Sequence, residues 1–251
     1  MEKSNDKTIL VTGISKGLGF ETTKTLLDAG YGVIGLSRTY NKEFDNYDKF
    51  TYLHFDLSFP EYIEEFLKDR IGNSIKIDGF VNNAAFAYDD IITNMNVDKL
   101  EKMYKVNVFS PIAITKFCLR NMIYHKTKGS IVHLSSISVH TGYNGLSMYA
   151  STKGALEAFS KNTGREWGRK GIRSNCIVAG FMETEMSGTL SDEQKDRIYK
   201  RTSLKQPTDT KSVANTIEFL LSDNSNSITG QNIHVDSGTI WKNGLEKFGI
   251  N

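Results

Sequence analysis

The chain is short of proline, cysteine and excess charge. Three prolines and a hydrophobic content of 39% in 251 residues suit a packed globular protein. Two cysteines, Cys118 in a helical pattern and Cys176 in a strand pattern, have no metal-ligand spacing; they read as buried free thiols of a cytosolic protein, and no metal site is expected. A formal net charge of +2 is too balanced to argue for nucleic acid or an anionic membrane surface. No apolar run approaches the ~20 residues of a membrane span. Residues Met1–Lys7 are polar and lack the apolar core of a signal peptide, and a cytoplasmic location is expected. There is no internal repeat, low-complexity segment or interdomain linker, so residues 1–251 are expected to form one domain, a length that α/β folds of ~250 residues reach.

What is present is alternation. Strand-length apolar runs at Thr8–Thr12, Tyr31–Leu36, Thr51–Phe55, Gly79–Asn83, Ser130–Ser135, Arg173–Val178 and Asn232–Val235 are interleaved with helical patterns. These lie near Leu18–Asp28, Pro60–Arg70, Val97–Tyr124, Met148–Gly168 and Thr210–Leu221. Seven strands alternating with helices predict an α/β fold with a parallel sheet covered on both faces. Residues Thr39–Phe50 break the pattern: they are polar, with Tyr40, Phe44 and Tyr47 scattered, and predict a short or irregular connection that leaves one end of a ligand site more open. Met182–Arg201 carries Met186, Leu190 and Ile198 amid charges and reads as an amphipathic lid.

Two constellations carry chemistry. The strand Thr8–Thr12 runs directly into Gly13-Ile14-Ser15-Lys16-Gly17-Leu18-Gly19 and then an amphipathic helix. That order lets backbone approach a pyrophosphate at a helix N-terminus. The spacing is G-x-x-x-G-x-G rather than G-x-G-x-x-G. Farther on, Tyr149 and Lys153 stand one helical turn apart on one face, thirteen residues after Ser136. A nearby ammonium stabilises a phenolate and would lower the tyrosine pKa from ~10. A serine beside the pair could hydrogen-bond a carbonyl oxygen where charge develops. Ser135 is adjacent, but strand alternation directs it to the opposite side.

Together, Thr12–Gly19, Asn82-Asn83-Ala84-Ala85, Asn107, Ser136, Tyr149 and Lys153 resemble the short-chain dehydrogenase/reductase family, from Lys7 to about Trp241. Within it the chain looks most like the 3-oxoacyl-(acyl-carrier-protein) reductases, through Gly180–Met186, Leu190–Gln194 and Ile228–Gly238. The resemblance implies a Rossmann-type doubly wound sheet and reduction of a ketone to a secondary alcohol. Ser136 would hold the carbonyl, Tyr149 would act as general acid, and Lys153 would acidify Tyr149 and hold the nicotinamide ribose. Asn107 would hold a relay water through its carbonyl. Pro111, lacking an N–H, supplies a reason for that carbonyl to be free; alternatively Pro111 simply opens a second helix segment.

The resemblance also implies a cofactor site at Gly13, Ser15, Lys16, Gly17, Leu18 and Gly19. Asp56 and Leu57 would follow at the adenine, Asn82 and Ala84 at the adenosine ribose side, and Gly180, Met182 and Thr184 toward the nicotinamide. The second strand ends without the acid that bonds ribose hydroxyls in NAD sites, and Arg38 with Lys16 can instead receive a 2′-phosphate, so NADP(H) is the expected cofactor. Solvated charges at loop ends remain the alternative for both cations. Ala85 and Ala179 depart from the family's usual Gly and Pro, adding a methyl beside the cofactor and freeing backbone before the lid.

Phe86, Tyr88, His140, Tyr143, Phe181 and Met186 are the candidate pocket walls, suited to an acyl chain and also to a steroid, quinone or sugar. His140 is expected to line the pocket and His133 to be structural. Lys126, Lys128, Arg169 and Lys170 stand where relatives dock an acidic carrier protein. Relatives are usually homotetramers or homodimers, and Lys242–Asn251 is an added tail. The other readings are a reductase of a sugar or specialised metabolite, and a cofactor-binding scaffold without turnover.

Overall fold

The structure, a computed structural model, describes residues 6–183 and 191–239. Expectations for Thr184, Met186, Leu190 and the tail Lys242–Asn251 fall outside the described residues. Seven strands, β1 (Thr8–Thr12), β2 (Gly32–Ser37), β3 (Phe50–His54), β4 (Gly79–Asn82), β5 (Ser130–Ser136), β6 (Arg173–Ala179) and β7 (Asn232–Val235), form one parallel sheet in the order 3-2-1-4-5-6-7. The helices are α1 (Gly17–Asp28), α2 (Ile63–Arg70), α3 (Val97–Tyr104), α4 (Ser110–Tyr124), α5 (Ser138–Thr141), α6 (Ser147–Trp167), α7 (Asp192–Lys200) and α8 (Thr210–Leu221). This is the parallel α/β sheet predicted by the alternation, in the doubly wound Rossmann-type arrangement that the resemblance implies.

The central strands are apolar on consecutive residues because both faces are covered. Strand alternation divides the core in two. Ile9 and Val11 point to a cluster with Leu26, Leu27, Ile217 and Leu220 of α1 and α8, whereas Leu10 points to one with Leu67, Ile114, Phe117 and Met122 of α2 and α4. The chain winds outward from β1 through β2 to β3, then crosses to β4 on β1's other side. A crevice opens beyond the C-terminal ends of β1 and β4 at this reversal, where open α/β sheets bind ligands.

Three departures from regularity bear on that crevice. The segment between β2 and β3 holds only a turn of 3₁₀ helix at Lys42–Asn46, as its polar composition predicts. Its single buried anchor is Phe44, tilted against Phe20 and Phe50 at centroid distances of 5.3 and 4.7 Å. The helical run expected over Val97–Tyr124 is two helices joined by a widened π-turn at Lys105–Phe109. Pro111 accounts for this: without an N–H it cannot close the ordinary bond to the Asn107 carbonyl, and it sits in the first turn of α4. Pro111 thus opens a second helix segment, the alternative reading of the sequence. Finally, Ala179 is the last residue of β6 and is registered with Ser136 on one side and Val235 on the other. Its backbone belongs to the sheet, so the freedom expected there from the missing proline is absent.

Candidate active site

The strand-to-helix turn after β1 is shaped by close approach. A Cβ at Gly19 would lie 1.9 Å from the Gly13 carbonyl oxygen and 2.4 Å from the Asn83 amide nitrogen, so only glycine lets α1 start there. Asn83 locks the turn by donating from Nδ2 to the carbonyls of Thr12 (3.0 Å) and Gly13 (3.1 Å). Helix α1 has Lys16 at its N-cap, with no side-chain cap and no acidic residue in its first turn. Its N-terminal N–H groups and dipole therefore favour an anion.

A cavity of about 420 Å³ opens beside that terminus, within the range of small-molecule and cofactor sites. Gly13, Ser15, Lys16, Gly17, Leu18 and Gly19 floor one end. Arg38, Asp56 and Leu57 continue it past the ends of β2 and β3, and Ala84, Met182, Tyr149 and Lys153 reach it from the other side. An uncapped helix end, a glycine floor and cations at one extremity fit a dinucleotide phosphate.

Asn82 and Gly180 do not line this cavity. Asn82 is buried, its Nδ2 3.3 Å from Nδ1 of His133, because the alternation of β4 turns it beneath the sheet surface; its neighbour Asn83 takes the lining position. A Cβ at Gly180 would lie 2.3 Å from Thr208 Oγ1 and 2.6 Å from the Asp236 Cα, so this glycine permits tight chain packing instead of ligand contact. Lys102, which the sequence did not single out, lines the cavity from α3 with its ammonium 5.0 Å from the centre of the Phe86 ring. No local pattern distinguishes it from Lys99, the other lysine of that helix.

Arg38 is 65% exposed at its side chain and stands 3.9 Å from Asp56, leaving it open to a ligand phosphate. Burial works to raise the Asp56 pKa, but two bonds from Ser58 and the Arg38 charge together hold it below its ordinary value.

Helix α6 delivers Tyr149 and Lys153 to the inner end. Lys153 is 2% exposed and donates to the Leu134 carbonyl at 2.7 Å, with its ammonium 5.6 Å from the centre of the Tyr149 ring. Burial lowers its pKa to about 8. The sequence predicts a tyrosine acidified by this lysine; here the packing around Tyr149, followed by the Asp89 carboxylate, raises its pKa above the ordinary 10. Desolvation disfavours the phenolate. The nearby His133, buried next to the same ammonium, is lowered to about 3 and stays neutral.

Ser136 is the last residue of β5 and does not line the cavity. Its Oγ accepts from Ser138 N at 3.2 Å and Ser138 Oγ at 3.0 Å, so its own hydroxyl hydrogen is left to donate. Ser135 bonds Glu157 and, with Leu134, lines the cavity, so alternation alone does not turn it away from the site. Asn107, buried at the π-turn, accepts from Phe86 N (2.8 Å) and donates to Phe86 O (2.9 Å) and Thr152 Oγ1 (3.1 Å). It thereby ties the cavity wall after β4 to α6. His140 is held by Glu157 at 3.0 Å. Among the described residues no cluster of His, Cys, Asp or Glu could hold a metal, and no helix is long and apolar enough to cross a membrane. Both cysteines are buried and free.

Residues 13–239 match a family described as enoyl-(acyl carrier protein) reductase. The chain is 31% identical over 236 residues to the 3-oxoacyl-(acyl-carrier-protein) reductase of Salmonella typhimurium, covering 92% of this chain and 96% of that one. It is 32% identical over 240 residues to the same enzyme of Buchnera aphidicola, covering 94% and 98%. Among solved structures, ElxO with NADP bound is similar with a TM-score of 0.85 at 28% identity, covering 94% of this chain and 99% of that one. 4-Hydroxyisoleucine dehydrogenase complexed with NADH is similar with a TM-score of 0.88 at 25% identity, covering 93% and 98%.

Replacing Lys153 by Met is expected to raise the melting temperature near pH 7. A buried ammonium with no ion-pair partner among the described residues costs several kcal/mol, against about 1–3 kcal/mol for leaving one carbonyl unpaired. Lys153 titrates near 8 in the fold and at 10.5 ordinarily, so its penalty is full below pH 8 and is relieved as the pH rises toward 10.5. The advantage of Lys153→Met should shrink across that window in thermal denaturation. A variant less stable than the native protein at pH 7 would contradict the buried-charge account.

Proposed function

The chain belongs to the short-chain dehydrogenase/reductase family, and from that premise we propose that it reduces 3-oxoacyl thioesters to 3-hydroxyacyl thioesters with NADPH. The coarser activity, NADP-dependent reduction of a carbonyl, follows from the family and its relatives. The observation that carries the finer reading is the near full-length likeness to 3-oxoacyl-(acyl-carrier-protein) reductases.

When bound, NADPH supplies a hydride to the carbonyl carbon. Ser136 donates its free hydroxyl hydrogen to the carbonyl oxygen, stabilising charge as it develops. Tyr149 delivers the proton; its raised pKa keeps it protonated at neutral pH, the state a general acid requires. Lys153 carries positive charge toward the phenol as the proton leaves. Asn107 supports the π-turn whose backbone would hold the relay water. Arg38 and Lys16 would receive the 2′-phosphate.

The four cations suited to an acidic carrier, Lys126, Lys128, Arg169 and Lys170, precede β5 and β6. The two segments are neighbours, because a Cβ at Gly171 would lie 2.7 Å from the Lys128 side chain. They flank the N-terminal edge of the sheet, whereas the cavity lies at the C-terminal edge. The seven residues of β5 separate these edges by about 23 Å. A carrier docked there would serve the cavity of a second copy, which agrees with a homo-oligomer; Phe109 at the end of the π-turn and Ile112 on α4, both exposed, offer apolar surface for pairing.

The family description favours a second reading, reduction of a carbon–carbon double bond. Purified protein offered acetoacetyl-CoA and crotonyl-CoA separates the two: oxidation of NADPH by the first and not the second supports the ketone reading, and the reverse result replaces it. Tyr149→Phe should lose about 10²–10⁴-fold in turnover while retaining NADPH; unchanged turnover would remove Tyr149 from its role. Arg38→Glu should cost about 100-fold in preference for NADPH over NADH, and an unaltered preference would place the phosphate elsewhere. Reversing the charges of all four cations should raise KM for a carrier-bound substrate and leave that for the CoA thioester unchanged. Equal effects on both substrates would argue against docking on that surface.

A further inference from the structure

Helix α6 presents a third residue on the face that carries Tyr149 and Lys153. Glu157 follows Lys153 by four residues, one turn farther along, and is 8% exposed. A buried carboxylate one turn from a buried ammonium would ordinarily pair with it, yet these two side chains form no ion pair among the described contacts. Glu157 is engaged elsewhere. Oε1 accepts from Ser135 Oγ and lies 3.0 Å from His140 Nε2, and Oε2 accepts from Asn232 Nδ2 at 2.6 Å. The His140 contact requires the Nε2–H form of the ring.

These partners come from β5, α5 and β7, and two of them bracket Ser136. Ser135 immediately precedes it, and His140 lies in the short helix that follows. Lys153 grips the carbonyl of Leu134, one residue earlier. Two adjacent turns of α6 therefore hold two consecutive residues of β5, directly before Ser136. Beyond His140 the contacts continue outward: its ring meets His234 edge to face at 4.9 Å, and His234 Nδ1 stands 3.5 Å from Asp236 Oδ2. Each of the two histidines thus faces a carboxylate of its own.

We propose that Glu157 is a positioning residue of this site: it fixes Ser136 through Ser135 and His140, and its engagement by three donors leaves the Lys153 ammonium unpaired for the tyrosine. The proposal rests on the reading of Ser136, Tyr149 and Lys153 as the reacting groups. In that reading a displaced serine weakens stabilisation of the developing charge without altering the distant phosphate end of the cavity. An ammonium paired to a carboxylate would likewise have less charge to offer.

The test compares Glu157→Leu and Glu157→Gln with the native enzyme in steady-state reduction of acetoacetyl-CoA, alongside NADPH affinity from nucleotide fluorescence. Glu157→Leu should lower kcat by about 10–100-fold with NADPH affinity changed less than about twofold. Glu157→Gln should recover most of the loss, because its amide oxygen still accepts from Asn232 or His140 and the Ser135 hydroxyl can accept in turn. If Glu157→Leu does not fold, Ser135→Ala removes one hydroxyl and should lower kcat by about 3–10-fold with the same unchanged affinity. A kcat within about twofold of native in the folded leucine or alanine variant overturns the proposal, as does a parallel fall of kcat and NADPH affinity, or a glutamine variant no better than leucine. Tyr149→Phe run beside them separates the two levels: full activity in that variant removes the underlying reading, whereas its inactivity beside an unimpaired Glu157→Leu removes only the role of Glu157.

Discussion

The grip of α6 on the end of β5 is the constraint on which the site depends. Lys153 is buried with its ammonium 2.7 Å from the Leu134 carbonyl, a position that burial alone disfavours. The same helix sets Tyr149 at the cavity wall, and Thr152 joins it to Asn107 and through that residue to the loop after β4. The strand end, the π-turn and the cavity wall are therefore referenced to one rigid element. Precision of this kind is what proton transfer to a small oxygen requires, since reacting atoms must approach to ~3 Å.

The phosphate end is governed by a different constraint. There the backbone itself forms the surface, and Gly19 against Gly13 leaves no room for a side chain. The uncapped start of α1 supplies favourable potential without a formal charge. Arg38 and Lys16 add charge at the rim, where exposure keeps the desolvation cost low. The short 3₁₀ connection at Lys42–Asn46 is pinned by one buried ring, Phe44, and gives this rim its particular outline.

The departures from expectation share a cause. The apolar periodicity located all seven strands to within a residue or so, because strand direction reverses at every residue. The same alternation, applied at Asn82 and Asn83, separates the lining residue from the buried one, but two identical amides in succession do not announce which end of β4 faces the crevice. The π-turn was legible only as a proline within a helical run. Lys102 was not legible at all: its role as cavity wall arises from where α3 docks. The raised pKa of Tyr149 runs against local spacing because spacing conveys the proximity of a charge and nothing of the desolvation that opposes it.

By itself the sequence determined the alternating α/β fold, the glycine turn before α1 and the placement of Tyr149 and Lys153 on one helical face. These follow from the periodicity of backbone geometry, which acts over a few residues and is written in their order. Only the tertiary structure decided which groups lost water, that Lys153 would meet the Leu134 carbonyl in place of a carboxylate, and that Glu157 would be held by three separate elements. Burial and hydrogen-bond saturation depend on residues far apart in the chain. They set the electrostatics of the site because solvent screening is lost only where those distant segments close over one another.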